Sequence, residues 1–145
     1  MKILVDADAC PVKKNIEYIA SLYAIPVTMY IDSSHVLESE YSSVVIVDKG
    51  IDSVDLKILK DLEVNDIVVT QDFGLASLAL SKGASVINQN GLVFNEFNIE
   101  RLLFERHLSA ESRRRGNRSK YISKRKNSDD EIFEKAFLDI VKKSL

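Results

Sequence analysis

Five short apolar runs punctuate the chain between residues 3 and 88: Ile3-Leu4-Val5, Val27-Thr28-Met29-Tyr30-Ile31, Val44-Val45-Ile46-Val47, Ile67-Val68-Val69 and Ala84-Ser85-Val86-Ile87. Their length and β-branched content read as strands, and those that are apolar throughout read as buried on both faces. Between them the spacing turns helical. Val12, Ile16, Ile19, Ala20, Leu22 and Tyr23 share one helix face, with Pro11 placed at the first helical position and Pro26 beyond the end. Asp52 suits a helix N-cap, with Asp55 in the first turn of a helix running to about Leu62. A third helix runs through Leu75, Leu78, Ala79 and Leu80 and stops at Gly83. Strand and helix in alternation, with short connections, predict an α/β fold whose mainly parallel sheet of about five strands is covered on both faces.

The last third is less regular. Gly91-Leu92-Val93-Phe94 reads as a small additional strand, and Asn98 as the cap of a helix carrying Ile99, Leu102, Leu103 and Phe104. Residues 109–126 have almost no apolar content and read as an exposed basic connection. Ser128-Asp129-Asp130-Glu131 has the capping-box pattern and opens an amphipathic helix with Ile132, Phe133, Ala136, Phe137, Ile140 and Val141. The expected organisation is an α/β unit over residues 1–108, a basic segment over 109–127, and a C-terminal helix over 128–145 packing on the same unit.

Charge sharpens this picture. The formal net charge of -2 hides an asymmetry: residues 1–100 carry 7 Lys/Arg against 15 Asp/Glu, while residues 101–126 carry 10 against 2. An acidic body followed by a short basic segment suits a polyanionic partner. Cys10 is the only cysteine, so an internal disulfide and a thiolate zinc cluster are both excluded. No leader pattern and no apolar run of membrane-spanning length is read, so a cytoplasmic protein with no membrane partner is expected.

The chemistry is in the positions of the carboxylates. Asp6, Asp8, Asp48 and Asp72 each follow an apolar run, and Asn88 ends the fifth. In a parallel sheet these ends share one edge, the edge at which open α/β sheets bind ligands. Asp6 and Asp8, if both extended, face the same side, and two like charges so close call for a cation or a shared proton. Oxygen ligands without a cysteine suit Mg²⁺ or Mn²⁺. Candidate ligands are Asp6, Asp8, Asp52, Asp55 and Asp72, with Thr70 offering a hydroxyl to a carboxylate or phosphate. Asp52 reads equally well as a cap, Asp72 as cap and ligand together, Asp48 as a turn residue and Cys10 as packing. Arg113, Arg114, Arg115, Arg118 and Lys120, with Tyr121 as a stacking surface, form a candidate phosphate-binding arm, the alternative being a solvated charged loop.

The opening Ile3-Leu4-Val5-Asp6-Ala7-Asp8-Ala9-Cys10-Pro11-Val12 closely resembles the YaiI/YqxD family of bacterial proteins. Gly50-Ile51-Asp52-Ser53-Val54-Asp55, Val69-Thr70-Gln71-Asp72-Phe73-Gly74-Leu75-Ala76 and Arg114-Arg115-Gly116 resemble it too. That family is grouped with PIN-like domains. The resemblance implies a PIN-like three-layer sandwich, and it places Asp6, Asp55, Thr70 with Asp72, and Asn88 at the positions of the PIN nuclease motif. Asp8 and Asp52 are additional carboxylates, Asn88 brings no charge, and the basic segment exceeds a minimal PIN domain. The implied activity is Mg²⁺- or Mn²⁺-dependent hydrolysis of phosphodiester bonds in RNA or single-stranded nucleic acid, with a second copy of the chain as a further candidate partner. Two alternatives accompany it. One is a PIN-like protein that binds nucleic acid without turnover. The other is a haloacid-dehalogenase-like phosphatase with Asp6 as nucleophile and Asp8 as general acid.

Overall fold

Strand β1 (Ile3–Asp6) carries the most apolar stretch of the N-terminus and stands in the middle of the sheet, with Ile3, Leu4 and Val5 fully buried. The structure, a computed structural model, describes residues 1–49, 53–116 and 124–145. The other strands are β2 (Val27–Asp32), β3 (Ser43–Val47), β4 (Ile67–Val69), β5 (Ser85–Ile87) and β6 (Val93–Phe94). Their spatial order is β3-β2-β1-β4-β5-β6, with β1 to β5 parallel and only β6 antiparallel to its neighbour. The chain is therefore α/β with a mostly parallel sheet, and the short run ending in Phe94 adds a sixth strand at one edge.

The helices are α1 (Lys13–Leu22), α2 (Ser53–Asp61), α3 (Phe73–Ser81), α4 (Glu96–Arg114) and α5 (Asn127–Ser144). Alternation along the strands sorts the core into two layers. Ile3, Val5, Met29 and Val69 point to one face and meet Ile16 of α1 with Phe133 and Phe137 of α5. Leu4, Tyr30, Val68 and Val86 point to the other and meet Ile58 of α2, Leu75 of α3 and Ile99 of α4. Helices on both sides of one sheet make a three-layer sandwich.

Several boundaries differ from the expectation, each for a local reason. Pro11 sits in a turn before α1, because Ala9 takes a left-handed conformation (φ 57°) and Cys10 N–H donates to Ala7 O at 3.2 Å, delaying the helix. Asn95 rather than Asn98 caps α4: its side chain accepts from the N–H groups of Phe97 and Asn98, while Asn98 Oδ1 accepts from Asn95 N–H. Residues 109–114, read as part of the connection, continue α4. Ala110, Glu111, Arg113 and Arg114 are good helix formers that need no core to extend an existing helix. Helix α5 opens one residue early, Asp129 accepting from Lys126 N–H at 2.7 Å.

The two edges of the sheet are held differently. At the edge where the parallel strands begin, buried Asp66 takes the Lys2 ammonium at 2.7 Å, Lys2 N–H at 3.0 Å and Glu63 N–H at 2.9 Å. Burial alone would raise the Asp66 carboxyl, but these donors outweigh it and hold it below the usual range. A depressed carboxyl contributes stability that is present above its unfolded value, near 3.9, and lost as pH falls through the folded one. Asp66→Asn is expected to cost about 2 kcal/mol at pH 7 by urea titration, a hydrogen bond to a charged group being worth about 1.5–3 kcal/mol. It should also make the stability loss below about pH 4 shallower than in the wild type.

Candidate functional site

At the opposite edge the strands end in acid, and the backbone decides where each carboxylate goes. Asp6 is the last residue of β1, and its Oδ2 accepts from Thr70 Oγ1, just past β4, at 3.0 Å. The same Thr70 oxygen accepts Asp72 N–H at 3.0 Å, and Asp72 Oδ1 caps α3 by accepting Leu75 N–H at 3.1 Å. A buried threonine thus couples the ends of β1 and β4 and orients both carboxylates. Asp72 combines the cap role with a place beside Asp6, as its charge contributes to the Asp6 shift.

Asp8 leaves the strand. The turn at Ala7 to Cys10 takes it out of extended backbone, and its Oδ2 accepts Asp32 N–H at 3.3 Å while the residue still shares a cleft with Asp6. Asp8 Oδ1 is shielded from solvent and accepts no aligned hydrogen bond. It lies 3.0 Å from His35 Nδ1, which also lies 3.1 Å from Asp32 Oδ1. One ring N–H cannot point at both oxygens, and the Asp8 atom is the one left over. Among the described residues, the ligand-capable atoms of Asp8, Asp32 and His35 lie within 4.8 Å of one another. Neither Asp32 nor His35 was in the expected site. Asp32 obeys the same rule as the others, an apolar run closing on a carboxylate, once β2 is extended by one residue to include it.

Asp6, Asp8, Cys10, Val69, Thr70, Gln71 and Gln89 line a cleft of about 30 Å³, room for roughly one water or ion and far too little for a nucleobase. Larger hollows of about 570 and 670 Å³ lie along α5 and at the Asp66 edge, away from these carboxylates. Burial, with the charges of Asp8 and Asp72, raises the Asp6 carboxyl against the Thr70 hydrogen bond that lowers it. Burial likewise raises the Cys10 thiol, so it is a wall of the cleft and not a nucleophile. Thr70→Val is expected to leave Asp72 N–H and an Asp6 oxygen unpaired, costing about 1–3 kcal/mol in chemical denaturation. Because the lost hydrogen bond lowers the Asp6 carboxyl, an NMR titration should find it displaced further upward.

Asp55 lies in the first turn of α2, half-buried, and is not among the cleft walls. Asn88 Oδ1 accepts Asn90 N–H and Leu92 N–H, both at 2.9 Å, and shapes the β5–β6 loop. Asp52, Arg118, Lys120 and Tyr121 lie outside the described residues. Arg113, Arg114 and Arg115 are exposed at the far end of α4. That helix begins at the Asp66 edge, near Asn65 and Ser85, and runs along α3. Its 19 residues span about 28 Å.

Comparison with known proteins agrees along nearly the whole chain. The family model described as "Uncharacterized BCR, YaiI/YqxD family" matches residues 4–143. A UPF0178 protein of Ruminiclostridium cellulolyticum is 56% identical over 142 residues, covering 98% of this chain and 93% of its own. Those of Lachnoclostridium phytofermentans and Natranaerobius thermophilus are 47% and 46% identical, covering 98% and 97% of this chain and 97% and 96% of theirs. No solved structure matches.

Proposed function

The chain belongs to the YaiI/YqxD family, and from that premise we propose that it is a PIN-like nuclease that hydrolyses phosphodiester bonds in RNA or single-stranded nucleic acid with Mg²⁺ or Mn²⁺. The observation that carries this reading is the buried Asp8 oxygen without a donor, at a rim shared with Asp6, Asp32 and Asp72. An acceptor removed from water and left unpaired is costly, and a cation relieves it. The donors that fit such an ion are Asp8, Asp32 and His35, whose ligand atoms lie within 4.8 Å of one another. They would hold it, with Asp6 and Asp72 beside them across the cleft and Asp52 and Asp55 as the further carboxylates. The imidazole of His35 favours Mn²⁺ over Mg²⁺.

When bound, a divalent ion supplies Lewis-acid polarisation of a phosphoryl oxygen and a water activated for attack. The chain's own groups do the rest. Thr70 fixes the direction of the Asp6 carboxylate and the position of Asp72. The narrow cleft, with room for roughly one water or ion, keeps bases outside. The arginines at the end of α4, with Arg118 and Lys120, hold the strand by its phosphates, without reading sequence.

One observation favours the non-catalytic alternative: His35 Nδ1 lies 3.0 Å from Asp8 Oδ1 and 3.1 Å from Asp32 Oδ1, where it can stand in place of a cation. Titrating Mn²⁺ into the metal-free protein while following thermal unfolding, and assaying a single-stranded RNA oligonucleotide under the same conditions, separates the two. A nuclease is stabilised and cleaves. A binding protein retains salt-dependent RNA affinity, weakened by Arg113, Arg114 and Arg115 substitutions, and never cleaves.

A further inference from the structure

Two side-chain amides and one guanidinium lie next to the acidic cleft. Gln71 Nε2 donates to Gln89 Oε1, and both residues line the cleft beside Asp6 and Asp8. Whichever of the two amides donates, the pair keeps N–H donors that this bond does not use, on residues that line the cleft. Gln89 is fixed from behind by Arg125, at the root of helix α5. The Arg125 Nε donates to Asp130 Oδ1 at 2.7 Å, Nη1 to Asn90 Oδ1 at 3.0 Å and Nη2 to the Gln89 carbonyl at 2.9 Å. All three guanidinium nitrogens are engaged, and its charge is matched by Asp130.

The electrostatics give this arrangement a purpose. A phosphodiester approaching a row of carboxylates is repelled, and a donor at the mouth must offset that repulsion. A lysine or arginine there would collapse onto Asp6 or Asp8 and occupy the cation's place. A neutral amide cannot. The nearby cation, Arg125, is kept from the carboxylates by its three acceptors. We propose that the Gln71–Gln89 pair orients a phosphodiester group of a nucleic-acid strand at the cleft, through hydrogen bonds to its non-bridging oxygens, and that Arg125 is a positioning residue that holds Gln89 in place. The identity of the ligand rests on the nuclease reading; the clasp itself does not.

The test uses the full chain, Mn²⁺ and a single-stranded RNA oligonucleotide. Gln89→Ala and Arg125→Lys are each expected to raise KM about tenfold, with kcat changed by less than about threefold, while the Mn²⁺-induced thermal shift stays as in the wild type. Because both act through one group, the double variant should be no worse than Gln89→Ala alone. Unchanged KM in Gln89→Ala, or additive losses in the double variant, would overturn the proposal, additivity meaning that Arg125 touches the phosphate itself. If the wild type cleaves no RNA, the nuclease reading fails. The inference is then decided by fluorescence anisotropy of the same oligonucleotide with Ca²⁺. A tenfold weaker Kd in Gln89→Ala sustains it, and equal binding, or none by the wild type, removes it.

Discussion

Asp6→Asn is expected to lower Mn²⁺-dependent cleavage of single-stranded RNA by about a thousandfold or more, the largest functional effect of any single substitution in this chain. Asparagine keeps the shape and can still accept the Thr70 hydroxyl, so the coupling between β1 and β4 survives. What disappears is one carboxylate charge beside the cation, with the several kcal/mol of transition-state stabilisation that depend on it. The metal-free protein should respond oppositely. Burial and the neighbouring carboxylates raise the Asp6 carboxyl, so its ionisation weakens the fold as pH rises through the raised value. Asp6→Asn carries no such penalty. In EDTA at pH 7 its denaturation midpoint should equal or exceed that of the wild type, and adding Mn²⁺ should stabilise only the wild type. Equal cleavage by both proteins would place the activity elsewhere or in a contaminant.

The largest effect on stability is expected at Phe137→Ala, which should cost about 3–5 kcal/mol, as for other buried aromatic truncations. Phe133 and Phe137 are fully buried and stacked with ring centres 5.2 Å apart. They fill the layer between α5 and the sheet, against residues as distant in sequence as Ile3, Val5 and Ile16. The substitution should lower Tm by roughly 10 °C for a chain of this size. The same truncation at exposed Phe104 should change stability by less than about 0.5 kcal/mol. A small effect at Phe137 would mean that α5 docks as an appendage that the rest of the chain can do without.

The strands were legible because burial on both faces leaves a dense mark: Ile67-Val68-Val69 can hardly be anything else. Gly83 marked the end of α3 because a left-handed residue (φ 88°) is needed there and glycine adopts it freely. Ala9 adopts a similar conformation with no such advertisement, so the turn that takes Asp8 out of the strand and the delayed start of α1 left no mark to read. Asp32 was hidden by a one-residue error in where β2 ends, His35 by lying in an irregular connection with no period to read. The Arg125 bonds to Asn90 and to the Gln89 carbonyl join residues 35 and 36 apart in sequence, a separation at which no local pattern reports contact. The extended α4 was missed because periodicity detects buried faces, and its second half turns almost nothing inward.

The contrast between the ionic clamp of Lys2 and Asp66 at one end of the sheet's strands and the poorly neutralised acids at the other has an engineering consequence. Cohesion is concentrated at the floor, discomfort at the ceiling. Randomising the ceiling with Thr70 and the Asp72 cap kept should therefore yield mostly foldable variants, so a library built there can be screened for new catalytic habits without first adding thermostabilising changes.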